Sequence, residues 1–457
     1  MKKILILIAV ITVISCKTET PVDYAIVSGK IANLDKGELS INSFNGANSE
    51  KIAVTEDGSF VDTLTWNAGS YMLYDGKNRV SVYLEPGNSI NITYDANDFD
   101  STLSLSGVGS ETSVYLLNKG KKQAELLGEG MTVYELEEDA YKAKFDEVKT
   151  VMTSLVNESE GLSKDFKAKE LRNLNYEFIS KMSVYDRYHA HFAKKPDFKA
   201  SASMLDVLKG VDYTNEEDYL FSNDYKSLVS AHYRVESIKT KVKDTLPSDI
   251  AYVKTVAAIE SEVIKNDLLF ETAKYGITYT EDLEDFYSAF MEGSTNEENN
   301  KVITESYNKL MTVAKGQPSP KFVNYENYAG GTTSLDDLKG KFVYVDVWAT
   351  WCGPCKAEIP FLKEVEKNYH GKNIEFVSLS VDALKDHDKW KTMIAEEELG
   401  GIQVFADNSW DSQFVQDYLI KGIPRFILID PQGNIVSSNA PRPSSPKLIE
   451  MFNENNI

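Results

Sequence analysis

Residues 345–360 read VDVWATWCGPCKAEIP: an apolar, β-branched run, then Trp351-Cys352-Gly353-Pro354-Cys355, then the start of a helical pattern. Two thiols separated by two residues at the head of a helix can be joined and parted as one disulfide without moving the backbone, so the pair marks redox chemistry. Zinc is the competing use of this spacing. It needs two further ligands, and the chain has only five histidines, no second C-x-x-C and no H-x3-H. His189 and His191 form an H-x-H in a helical-looking stretch; such pairs usually sit on a solvated face, with metal binding the alternative reading.

Around the motif the signals alternate between strand and helix. Lys341 to Val347 is a β-branched and aromatic run suited to a buried parallel strand, Glu358 to Tyr369 is helical, and Ile374 to Val381 and Arg425 to Ile429 are further buried strands. Ser444-Ser445-Pro446 offers an N-cap with Pro at the first helical position, with Leu448, Ile449 and Phe452 following on one face. Two prolines in Gly316-Gln317-Pro318-Ser319-Pro320 stop the preceding helix, which makes 316–457 a separate α/β domain.

This domain resembles the thioredoxin superfamily, and within it the membrane-anchored TlpA and ResA branch. Three features in the right order carry the resemblance: WCGPC after an apolar strand, Gly422-Ile423-Pro424 before Arg425-Phe426-Ile427-Leu428-Ile429-Asp430, and the Gly433 turn, with an insertion of TlpA-like size around 383–401. The resemblance implies a thioredoxin-like fold and a role for each residue. Cys352, at the helix N-terminus where unpaired N–H groups and the dipole favour a thiolate, is the nucleophile. Cys355, one turn deeper and better buried, is the resolving thiol. Asp346, six residues before Cys352 and flanked by Val345, Val347 and Trp348, matches a buried carboxylate that serves as the base, its pKa raised by burial. Glu358 matches an acid beside the motif in the ResA branch that sets thiol pKa values, although an exposed Glu on a helix surface is ordinary. Pro424 matches the family's cis-proline, leaving the backbone of Ile423 free to pair with an extended substrate, while Trp351, Gly353 and Pro354 shape the contact surface. The Gly-Pro dipeptide is that of reducing thioredoxins, with potentials of about −270 mV.

The N-terminus carries an address. Met1-Lys2-Lys3 is basic, Ile4 to Ile14 is apolar and too short to span a bilayer, and Ser15 stands directly before Cys16. The pattern resembles a bacterial lipoprotein signal, 1–15, with Cys16 the lipidated residue and 16–24 a linker. Export places the chain in an oxidising compartment, and lipidation of Cys16 leaves Cys352 and Cys355 with only each other as disulfide partners. A formal charge of −21 argues against nucleic acid and against a polybasic membrane contact.

Between leader and motif lie two regions of other composition. From 25 to 109 alternation in Val80-Ser81-Val82-Tyr83-Leu84 and Ile90-Asn91-Ile92-Thr93-Tyr94, with turns at Asp57-Gly58, Asp75-Gly76 and Pro86-Gly87, predicts a small all-β sandwich or barrel. Features such as VSGKIAN and the EDGSF turn resemble an N-terminal β domain of unknown function that precedes thioredoxin domains in exported lipoproteins. From 110 to 315 the period is helical: Tyr141, Phe145, Val148, Met152 and Leu155 form one stripe, and helices are expected at Asp165–Met182, Asn223–Val242 and Ile250–Tyr275. Asp218 to Tyr225 is aromatic-rich, reading as core packing or as a peptide groove, and Glu292 to Asn300 as a solvated loop.

The expected protein is thus multidomain: small all-β, then all-α, then a thioredoxin-like α/β domain. Its expected work is thiol-disulfide exchange on disulfide-containing envelope proteins. The chain would be lipid-anchored and facing the periplasm, with a membrane-linked electron donor and no cofactor. A peroxidase of the peroxiredoxin type would want P-x-x-x-T-x-x-C, but Thr350 stands two residues before Cys352, not three. A ligand-binding or scaffold lipoprotein with an accessory redox domain is the other alternative.

Overall fold

Every second side chain of Ser89–Asp95 is buried, namely Ile90, Ile92 and Tyr94, and this alternation sets the strand against a core on one face. The computed structural model describes residues 22–34, 39–43, 48–128 and 130–457. The leader and Cys16 lie outside the described residues. The chain forms two compact units, one ending at Leu228 and the other spanning Val229–Ile457, with the division inside the long helix Asn223–Asp244. The helical stretch 110–315 is therefore shared between the two.

The first unit begins with two four-stranded sheets. One has the order Ser59–Leu64, Ala25–Ala32, Ser89–Asp95, Ser104–Val108, and the other Ser49–Ile52, Leu39–Ser43, Gly69–Tyr74, Arg79–Leu84. Val27, Ile31, Ile90 and Ile92 of the first sheet share one core with Ile41, Leu73, Val80 and Val82 of the second, which makes a sandwich. A β-carbon on Gly29 would lie 1.8 Å from the Ile92 carbonyl oxygen, so only glycine permits that approach.

Helices follow from Ser110. In Glu138–Glu158 the buried stripe is Tyr141, Phe145, Val148, Met152 and Val156, with Leu155 at its edge rather than on it. Tyr219 and Tyr225 are buried, and the nearly inaccessible Asp218 accepts hydrogen bonds from Arg172 Nε at 2.7 Å and from Tyr176 Oη at 2.7 Å. The aromatic-rich stretch is thus packing between helices, not an open groove. His189 and His191 do not share a solvated face. Two residues on, a helix has turned about 200°, so His189 is fully buried with Nδ1 2.8 Å from the Tyr134 carbonyl oxygen, while His191 is exposed.

In the second unit the expected helix Ile250–Tyr275 is two helices, Ser248–Ala257 and Glu262–Gly276. Ser261 caps the second by accepting from the Ile264 N–H at 3.2 Å, a break that apolar periodicity does not register. The expected loop Glu292–Asn300 is mostly helical for the same reason: only Ser294 to Asn296 connect Leu283–Gly293 to Glu297–Met311. Asn296 caps the second helix, whose acidic first turn suits the dipole.

The α/β region that follows is a seven-stranded sheet in the order Thr332–Thr333, Tyr325–Asn327, Ile402–Phe405, Ile374–Ser380, Phe342–Trp348, Arg425–Ile429, Ile435–Ser437. Phe342–Trp348 is central, parallel to Ile374–Ser380 and antiparallel to Arg425–Ile429. On one face Tyr344, Phe376 and Phe426 pack with Leu362 and Tyr369 of the helix Gly353–Tyr369 and with Leu448 and Phe452 of the last helix, Pro446–Glu454. Ile449, expected on that face, is 38% exposed, because it lies about 100° around the helix from Leu448. Among the described residues no helix is long and apolar enough to cross a membrane.

Candidate active site

The central strand delivers the motif. Its last residue, Trp348, leads through Ala349 to Trp351 into the helix Gly353–Tyr369, for which Cys352 is the N-cap and Pro354 lies in the first turn. Cys352 Sγ accepts from the Cys355 N–H at 3.1 Å, the capping bond that places sulfur at the positive end of the helix. The two cysteines are joined as a disulfide with their Cα atoms 5.3 Å apart. Cys355 is not the better buried: each is 4% exposed, since in the bonded pair each sulfur covers the other. Trp351 stands out beside them at 57% exposed.

The loop before Cys352 is held from below. Asp382 is fully buried and accepts from the Thr350 N–H at 2.9 Å, the Thr350 hydroxyl at 2.8 Å and the Ser380 hydroxyl at 2.8 Å. The motif enters its helix from a fixed position as a result.

Behind the disulfide lies a cavity of about 10 Å³, room for about one water. Cys355, Asp346 and Glu366 line it together, along with Trp348 and Gln403. Asp346 Oδ1, Trp348 Nε1 and Gln403 Oε1 are buried without a hydrogen-bond partner among the described residues. Burial pushes the Asp346 carboxyl up to about 8, with the negative charges of Glu358 and Glu366 adding to the rise. Asp346 is half-buried as a residue, but its Oδ1 is buried and the side chain borders this cavity. Glu366 is pushed up to about 7 by burial, against the pull of Lys363.

Glu358 is not a solvated helix-surface acid. It is buried, and its carboxylate accepts from the Ser444 N–H at 3.0 Å and the Ser444 hydroxyl at 2.9 Å, with Arg442 Nη1 3.9 Å away. It ties the motif helix to the loop before the last helix.

The Ile423–Pro424 peptide bond is cis. Arg425 pairs with Val347 across the sheet, so Pro424 sits at the strand end from which the central strand runs into the motif. The structure therefore brings Cys352, Cys355, Asp346, Glu358 and Pro424 to one end of the sheet. Asp382, Glu366 and Arg425 complete the neighbourhood without having been singled out from sequence. Glu366 had a signal: Cys355, Ile359, Leu362, Glu366 and Tyr369 step by four, three, four and three, the stripe that faces the core.

A dithiol at the N-terminus of the helix that follows an inner strand, with a carboxylate bordering the cavity behind it and a cis-proline at the same end of the sheet, defines a thioredoxin-type redox domain. Comparison with known proteins agrees. Residues 314–450 match the Redoxin family. ResA, a thiol-disulfide oxidoreductase of Bacillus subtilis, is 31% identical over 127 residues, covering 27% of this chain and 66% of its own length. The Bacillus subtilis thioredoxin-like protein YneN is 28% identical over 127 residues, covering 28% and 72%. Among solved structures, a Bacteroides vulgatus protein proposed to be a thiol-disulfide oxidoreductase is 50% identical, covering 32% of this chain and 93% of that one, with a TM-score of 0.28. Through its C-terminal region the chain belongs to the thioredoxin superfamily and to its TlpA/ResA-like branch, and that region is a thiol-disulfide oxidoreductase domain. The match spans just under two thirds of the ResA relative, and the Redoxin match leaves residues 1–313 of this chain unaddressed.

Proposed function

We propose that the whole protein is an envelope thiol-disulfide oxidoreductase that reduces or isomerises protein disulfides, with the dithiol cycling between Cys352–Cys355 disulfide and free thiols. The observation that carries this reading is the capped Cys352 sulfur joined to Cys355, which lines one cavity with Asp346.

In the reduced protein the Cys352 thiolate attacks one sulfur of a substrate disulfide, forming the Cys352–substrate bond and releasing the other sulfur as a thiolate that takes a proton from water. Cys355 then gives its proton to the Asp346 carboxylate and attacks Cys352 Sγ. The Cys352–substrate bond breaks, and the second substrate sulfur leaves as a thiolate. Two electrons have passed to the substrate and the protein holds its disulfide. The backbone of Ile423 beside the cis bond, with Trp351, Gly353 and Pro354, is the surface on which the substrate chain rests. The leader and Cys16 support a lipid anchor in the envelope facing the periplasm, where a membrane-linked dithiol donor restores the thiols.

Reduction of insulin by the full chain, with dithiothreitol as the electron source, tests the reading. Turnover that disappears in Cys352→Ala is expected. No turnover by the unaltered chain would overturn it.

A further inference from the structure

The last turn of the helix Glu262–Gly276 and the turn that follows it are bound to both flanks of the cis-proline loop. Lys421 Nζ donates to the Lys274 carbonyl at 3.0 Å. Arg425, next after Pro424 and 3% exposed, donates through Nη1 to the Thr278 carbonyl and through Nη2 to Thr278 Oγ1 at 3.0 Å. Its guanidinium lies 4.1 Å from the centre of the Tyr279 ring. Asn439 Nδ2 holds the Tyr279 carbonyl at 2.6 Å. A buried arginine is costly unless its donors are used; this one directs Nη1 and Nη2 to a single residue of the helical segment and leaves only Nε without a hydrogen-bond partner among the described residues. The turn is fixed to the loop, not merely resting on it.

Tyr279 is where this attachment reaches the site. Its hydroxyl lies against Gly422, two residues before the cis-proline, so closely that a β-carbon on Gly422 would come within 2.5 Å of it. Yet the residue remains 38% exposed. A ring fixed on one face by Arg425, with its hydroxyl over backbone and a large part of its surface open, suits contact with a docked chain. An extended segment pairing with the backbone of Ile423 must run past Gly422 and so past Tyr279. A small disulfide that reaches only the sulfurs need not.

We propose that Tyr279 is a specificity-determining residue of the dithiol site, a wall supplied by the helical segment that selects polypeptide disulfides over small ones by contact with the chain flanking the reacting sulfur. This rests on the proposed reductase function and gives the helices before residue 316 a part in it.

The experiment uses the full chain with two oxidised substrates, insulin and 5,5′-dithiobis(2-nitrobenzoate). Tyr279→Ala is expected to raise KM for insulin about ten-fold with kcat within about two-fold, the scale of one well-packed contact residue, while the small disulfide loses less than about two-fold. Gly422→Ala, whose new methyl displaces the hydroxyl, should raise the insulin KM in the same direction. Adding Tyr279→Phe to it removes the colliding oxygen and should bring KM back to within about three-fold of the unaltered chain. An unchanged insulin KM in Tyr279→Ala, a parallel loss on both substrates, or no rescue of Gly422→Ala would overturn the inference. An unaltered chain that reduces neither disulfide overturns the underlying function, and this inference with it. Reduction of both with no Tyr279 effect overturns this inference alone.

Discussion

Cys355→Ala should accumulate a covalent complex between Cys352 and its substrate, while Cys352→Ala should form none. The asymmetry follows from which sulfur meets the substrate. Cys352 Sγ is the helix cap, held by the Cys355 N–H at 3.1 Å, where the dipole and the free N–H groups favour its thiolate. Cys355 lies in the first turn and lines the inner cavity. Without Cys355 the first exchange proceeds and the second cannot. Loss of either thiol should lower multi-turnover reduction by about 10³-fold or more, as removal of a nucleophile does, but only Cys355→Ala should give a thiol-reversible band on a non-reducing gel. Equal trapping by both variants would contradict the assignment.

The second large effect is expected at Asp346. To take the Cys355 proton this carboxyl must be ionised, and burial holds its pKa at about 8. The rate of resolution should therefore climb as pH rises through about 8, and Asp346→Asn should flatten that limb and slow resolution by about 10²-fold. Stability moves the other way. The folded pKa is raised from 3.8 to about 8, so between those values the folded state holds a proton that the unfolded state has released. Folding stability then falls as pH rises across that window and stays lower above it. Asp346→Asn removes this cost. With each pH unit of the window costing about 1.4 kcal/mol, the variant should gain on the order of 6 kcal/mol over the unaltered chain at pH 9 and little at pH 4. Denaturant melts of the oxidised forms at both pH values check this. A variant less stable at pH 9 would show that Asp346 is held ionised.

Much of this was legible in the sequence, because the redox site is built from local signals. A run of β-branched residues, a C-x-x-C and an Ile-Pro before another apolar strand are each readable within a few residues, and they place Cys352, Cys355, Asp346 and Pro424 at one end of the sheet. What escaped depends on partners distant in the chain. Arg425 reads as an intruder in an apolar strand until Thr278 and Tyr279, nearly 150 residues earlier, accept and cover it. Glu358 was legible as an acid beside the motif, but its burial was not, because that depends on Ser444, which donates to it twice. The helix breaks at Ser261 and Asn296 are set by single capping oxygens, which leave the apolar period on either side undisturbed. A small all-β domain was legible from alternation and turn residues, but the choice between sandwich and barrel was not, since it depends on how two sheets share one core.

The direction of electron flow decides what the dithiol does, and the Gly353-Pro354 pair between the sulfurs sets the expectation. The measurement is the midpoint potential of the full chain, taken by equilibrating Cys352 and Cys355 against a graded dithiothreitol or glutathione couple and counting free thiols. A value of about −270 mV, that of a dithiol able to reduce substrate disulfides, is predicted; a value of about −120 mV, that of a strong oxidant, would contradict it.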